Sequence, residues 1–152
     1  MKFRKARIND AKEISILRKN TIKKVNGWDI NKKEMKYLMN NNKPKIIADK
    51  IKNRDMFCLI DNNKIIGTVD LHNNEIGSVF VRYNFVKKGI GTKMMDFIED
   101  YAKGKHIKNV HLKSAKQAKN FYLKRGYKLI KKIKNDRGSI NFIMEKKLKW
   151  SS

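Results

Sequence analysis

Very little in this chain can staple, anchor or interrupt it. The one cysteine, Cys58, excludes an internal disulfide, and its neighbours Phe57, Leu59 and Ile60 read as a buried strand in a reducing compartment. Pro44 is the only proline, and no Pro- or Gly-rich linker divides the chain. No apolar run approaches the ~20 residues of a spanning helix. The opening KFRKARIND lacks the apolar centre of a signal peptide, so a cytoplasmic protein without a membrane partner is expected. His72, His106 and His111 have no ligand spacing and no cysteines beside them, so no metal is expected. Acidic residues are scarce: 14, against 38 lysines and arginines, for a net charge of +24. Such a charge ordinarily points to nucleic acid, anionic membrane or an acidic ligand. Only seven of the basic residues are arginine, however, and the lysines run evenly through a chain rich in Asn and Ile. That pattern reads as AT-rich coding and solvated faces, and no specific nucleic-acid partner is expected.

The 152 residues suffice for one domain, 1–152, with a core of its own. Residues 2–8 alternate weakly, as an edge strand does. Asp10 with Glu13 forms a capping-box pattern, and Ile14, Leu17, Thr21, Ile22 and Val25 follow at helical spacing as far as Asn26-Gly27. One or two further helices are expected over 31–51, interrupted by the Asn run and Pro44. Trp28 and Tyr37 there either line an acceptor pocket or belong to the core. MFCLI and KIIGTVDL read as strands around an Asp61-Asn62-Asn63 turn, and Asn73-Asn74 makes a second turn.

The stretch 75–104 organises the rest. A strand carrying Ile76, Val79, Phe80 and Val81 gives way to a helix on which Ile90, Met94, Met95, Ile98, Tyr101 and Ala102 share one face, with Gly104 as the expected C-terminal cap. Between them lies VKKGIGT. Its glycines either crowd amides around a phosphate at the positive helix end or serve only as a tight turn and close contact. It is neither a P-loop, since Gly89 and Gly91 stand too close, nor a dinucleotide fingerprint, which needs glycine where Met94 stands. NVHLKS is then a strand parallel to the 75–83 strand, because a helical crossover joins them. Ser114 and Gln117 form a second capping-box pattern, opening a helix that ends at Gly126, and two strands joined by a 135–138 turn close the chain. The expected class is α/β, with a mixed, mostly antiparallel sheet of about six or seven strands flanked by helices.

A basic V-x-x-G-x-G loop followed some thirty residues later by SAKQAKNFYLKRGY resembles the GNAT-type N-acetyltransferases, in the bacterial branch with a terminal FYxKxG(F/Y) helix. The resemblance spans nearly the whole chain and implies a central parallel pair that splays. It implies acetyl-CoA as cofactor, its pyrophosphate held by main-chain amides of Val86, Lys87, Lys88, Gly89, Ile90, Gly91 and Thr92. Val79, Phe80 and Val81 would hydrogen-bond the pantetheine arm as an added strand, with Ser114, Phe121 and Lys124 also on the cofactor side. Two departures stand out: Val86 replaces the family's usual Gln or Arg, and Ala115 replaces a frequent Asn. The first should weaken binding, and the second removes one pantetheine contact.

The resemblance also implies direct transfer to an amine in a ternary complex. Tyr122 is the expected acid for the departing thiolate, and Glu75 the expected base for the amine, with Asp70 or a water chain as rivals. A core tyrosine and a solvated turn glutamate are the plainer readings of the same two residues. A catalytically idle CoA-binding or nucleic-acid-binding module is the alternative function. The acceptor amine, a small molecule or a peptide, would meet residues 20–49 and the last turn, and the terminal strand offers an edge for a homodimer.

Overall fold

The computed structural model describes residues 1–77 and 79–149. Its strands are β1 (Lys2–Lys5), β2 (Asp55–Asp61), β3 (Lys64–His72), β4 (Glu75–Ile76), β5 (Phe80–Val81), β6 (Asn109–Ala115), β7 (Lys128–Lys134) and β8 (Ile140–Lys147). Its helices are α1 (Ala11–Asn26), α2 (Lys32–Asn41), α3 (Pro44–Asn53), α4 (Ile90–Gly104) and α5 (Lys119–Lys124). One sheet runs in the order β1-β2-β3-β4-β6-β8-β7, with β5 also on β3. Every pairing is antiparallel except β4 with β6.

Local chemistry sets several of these boundaries. Asn62 and Asn63 both take positive φ, which gives the β2–β3 hairpin the twist of a primed two-residue turn. Asn31 caps α2 by accepting from the Glu34 amide at 2.8 Å. Pro44 begins α3 rather than breaking a helix, since an N1 proline sacrifices no hydrogen bond.

The two faces of the sheet are covered differently. Met56 and Cys58 on β2 face α1 and α3, where they join Ile14, Leu17 and Ile47. The alternate residues Phe57 and Leu59 face α4 and pack with Met94, Met95 and Ile98. Each of these fully buried side chains stabilises the fold by roughly 1.5–3 kcal/mol.

Four local expectations are corrected. Asp10 does not cap α1 with Glu13: its carboxylate accepts from the Arg7 amide at 2.7 Å and pairs with Arg4, while Glu13 reaches across to the Ile65 amide at 2.9 Å. Tertiary partners outbid the local box. Ser114 stays in β6, and its hydroxyl donates to the Ala115 carbonyl instead of capping a helix. Gly104 lies within α4, and the left-handed residue after that helix is His106, at φ 63°. The expected 75–83 strand is interrupted, which raises the strand count to eight.

Candidate active site

The interruption builds the site. Leu71 pairs with Ile76 and Thr68 with Phe80, so the strand facing β3 carries one residue more than β3 does between these two pairs. The extra residue is a bulge, which bends its strand and redirects backbone groups. Gly77 is required there, because a Cβ would collide with the Asp70 carboxylate. Before the bulge, β4 pairs with β6 through Glu75 and His111. After it, β5 pairs with β3 alone, and β6 pairs with β8 on its far side all the way to Ala115. Among the described residues the two central strands therefore part, β6 pairing with β4 at Glu75 and with β5 nowhere.

A cavity of about 410 Å³ occupies this splay, lined by Val79 and Phe80 on one side and Ser114, Ala115 and Tyr122 on the other. The Arg82 amide donates to the Ile66 carbonyl at 2.7 Å, so strand alternation turns the Val81 amide the other way, toward β6. The Val81 carbonyl on that side is already held by Thr21 Oγ1, which donates at 2.9 Å. Thr21 was legible only as a helix-face residue.

The loop 86–92 leads to the N-terminus of α4. Lys87 and Gly89 adopt positive φ, 66° and 77°, and no side chain caps the helix. Nothing lies within 4 Å of a Cβ built on Gly89, so the amides beyond it open onto free space. Lys87, Lys88 and Thr92 are exposed, Val86 is half-buried, and Ile90 is buried as the helix anchor. Gly91 lets α5 approach: a Cβ there would lie 3.3 Å from the Phe121 ring. Phe121 in turn meets Tyr122 edge-on at 5.1 Å, linking loop to cleft. Lys124, at the exposed end of α5, does not line the cleft.

Tyr122 is 6% exposed and lies between Phe121 and Tyr127. Its hydroxyl makes no hydrogen bond among the described residues, and desolvation pushes its pKa up to about 12. It is a protonated donor with nothing to donate to.

Glu75 is elsewhere. It lines a second cavity, of about 360 Å³, which shares Phe80, Lys113 and Ala115 with the first. Its carboxylate is half-exposed and accepts from Arg54 Nη1 at 3.0 Å, while Arg54 Nε donates to buried Asp70 at 2.7 Å. Glu34 of α2 is held by Arg137 at 3.0 Å, and that guanidinium stacks 3.6 Å over the Tyr37 ring. This clasp fastens the β7–β8 turn to α2 beside both cavities. Tyr37 thus serves the wall, and Trp28 is 85% exposed rather than core. None of these pairs had a sequence signal, since the partners of Arg137 lie about a hundred positions away.

Among the described residues no helix is long and apolar enough to cross a membrane, and no cluster of side chains could hold a metal. No curated protein matches the chain by sequence. Solved structures match its fold over nearly all of both chains. A GCN5-related N-acetyltransferase from Rhodopseudomonas palustris gives a TM-score of 0.88 at 17% identity, covering 97% of this chain and 95% of that one. A PaiA N-acetyltransferase from Thermoplasma acidophilum, in complex with coenzyme A, gives 0.78 at 19%, covering 96% and 98%. An aminoglycoside 6'-N-acetyltransferase complexed with coenzyme A gives 0.68 at 13%, covering 100% and 99%. The acetyltransferase (GNAT) domain family matches residues 29–148, and with the bulged, splayed strand pair this places the chain in the GNAT acetyltransferase family.

Proposed function

We propose that the protein transfers an acetyl group from acetyl-CoA directly to an amine, and that the whole chain 1–152 acts as one such domain. The observation that carries this reading is the splay: two facing strand edges, opened by a bulge, with a protonated and unpartnered tyrosine between them. The residues present fit the cofactor. An uncapped helix end with a left-handed Gly89 suits a diphosphate, and a free strand edge suits an amide-bearing arm. The amides of 86–92 would hold the diphosphate, with Lys87 and Lys88 adding charge, and Val79, Phe80, Val81, Ser114 and Phe121 would bind the rest of the cofactor. Acetyl-CoA supplies an acetyl thioester, which an amine can attack without any covalent enzyme intermediate.

The residues then manage protons. An acceptor amine with pKa near ~10.4 enters mostly as ammonium and must lose a proton. Glu75 would take it through water, since its second carboxylate oxygen has no hydrogen-bond partner among the described residues and the second cavity shares Phe80 and Ala115 with the first. Tyr122 serves the sulfur. With a pKa of about 12 its phenol is a poorer acid than a thiol of about 8.5, so it acts by donating a hydrogen bond to developing negative charge. The Val81 amide, turned toward β6, would polarise the thioester carbonyl.

The test is a melt. Acetyl-CoA at about a hundredfold over its dissociation constant should stabilise the fold by roughly 2.7 kcal/mol, a rise on the order of 5–11 °C. No rise with either acetyl-CoA or CoA would sink the reading. A rise without CoA-thiol release from any amine would instead favour a catalytically idle CoA-binding module.

A further inference from the structure

The charges around the second cavity do not balance. Its carboxylates are Glu34, Asp70 and Glu75, and each is held by an arginine, Glu34 by Arg137 and the other two by Arg54. Three further cations line the same cavity with no ion pair among the described residues: Arg18 and Lys50, and Lys113, which is exposed. Arg18 is 2% exposed; its Nε and Nη2 donate only to the Thr68 hydroxyl, at 3.3 and 3.0 Å, and its guanidinium rests on the Phe80 ring at 4.7 Å. Lys50, half-buried on α3, has no hydrogen-bond partner among the described residues. Burial pulls both pKa values down, Arg18 to about 10, with Asp70 opposing the shift in each; for Lys50 the nearby Arg18 adds to the effect. A buried arginine without a carboxylate is costly to keep, and a concave wall concentrates its field.

Resting on the acetyltransferase reading, we infer that the acceptor is a small amine that also carries an anionic group, a carboxylate or phosphate, received in the second cavity by the unpaired Arg18 and Lys50. Phe80 puts this subsite next to the splay: its ring supports Arg18, and the residue lines both cavities. The anion end would then anchor the molecule while its amine reaches toward the thioester. The carboxylates do not compete for this role, because Arg54 and Arg137 already occupy them. A polyamine would find the opposite: every carboxylate already paired, and three cations without an ion pair among the described residues.

The experiment uses the full chain loaded with CoA and matched acetylated probes. N-acetylglycine and N-acetylalanine are compared with their C-terminal amides, and N-acetyl-phosphoethanolamine with N-acetylethanolamine. The charged member of at least one pair should raise the melting temperature of the loaded protein and bind at least tenfold more tightly than its neutral partner. The pair that responds distinguishes carboxylate from phosphate. Lys50→Gln and Arg18→Gln should each abolish most of that preference while leaving the CoA shift intact; if Arg18→Gln fails to fold, Lys50→Gln alone decides. Equal binding of charged and neutral probes, binding of neither, or a preference unchanged in Lys50→Gln overturns the inference and leaves the acetyltransferase reading standing. Loss of the CoA shift in the native protein overturns both.

Discussion

The proposed cofactor side and the proposed acceptor side of this site are made by different physics. The first is a matter of backbone: a one-residue register offset between the Ile76 and Phe80 pairs, a left-handed Gly89, an uncapped α4 and an α5 brought close by Gly91. The second is a matter of long-range charge: Arg54 between Asp70 and Glu75, Arg137 on Glu34 and Tyr37, Arg18 on Thr68. A main-chain site should tolerate side-chain change, and Val86 is where that expectation can be tried. A charge-built wall can be rewritten one residue at a time, and so can choose among amines.

If the division is real, changes on each side should leave the other untouched. The largest effect is expected from Tyr122→Phe, which removes the hydrogen bond to sulfur and should lower kcat about a hundredfold, with CoA affinity measured calorimetrically unchanged. Unaltered turnover would return Tyr122 to the core. Next comes Gly89→Val. A β-branched residue at φ 77° strains the loop and crowds its amides, so CoA affinity should fall about tenfold while acceptor discrimination persists. Arg137→Ala should be smaller and opposite in kind. Releasing the clasp on Glu34 and Tyr37 should raise acceptor KM several-fold, on the scale of one partly buried ion pair of about 1–2 kcal/mol, with no change in CoA binding. The smallest effect is one of shape. Because desolvation raises the Tyr122 pKa, its phenol remains protonated as pH rises through 10 and ionises only near 12. The kcat–pH profiles of native protein and Tyr122→Phe should therefore run parallel from pH 7 to 10. An alkaline decline in the native protein alone would contradict the assignment.

The same division explains what the sequence revealed. The change from strand to helical period around 86–92, and the FYLKRGY helix ending at Gly126 with φ 93°, are contiguous patterns, and they announced the sheet, the crossover and the turn into α4. What failed to show was set across distance. Glu13 looked like a cap until the Ile65 amide claimed it, and Ser114 looked like a cap until pairing with Phe142 kept it in β6. The break in the 75–83 strand had only Gly77 as its sign, and that glycine takes its meaning from Asp70 on the neighbouring strand. Arg18 carried no signal at all; on a helical wheel it is one more basic residue in a chain with 38.

The most direct measurement is a crystal structure of the protein with CoA bound. The account predicts the diphosphate within about 3 Å of main-chain amides in 86–92, the arm lying between β5 and β6, and the sulfur within hydrogen-bonding reach of the Tyr122 hydroxyl. A diphosphate held elsewhere, or a sulfur on the far side of the splay from Tyr122, would contradict it.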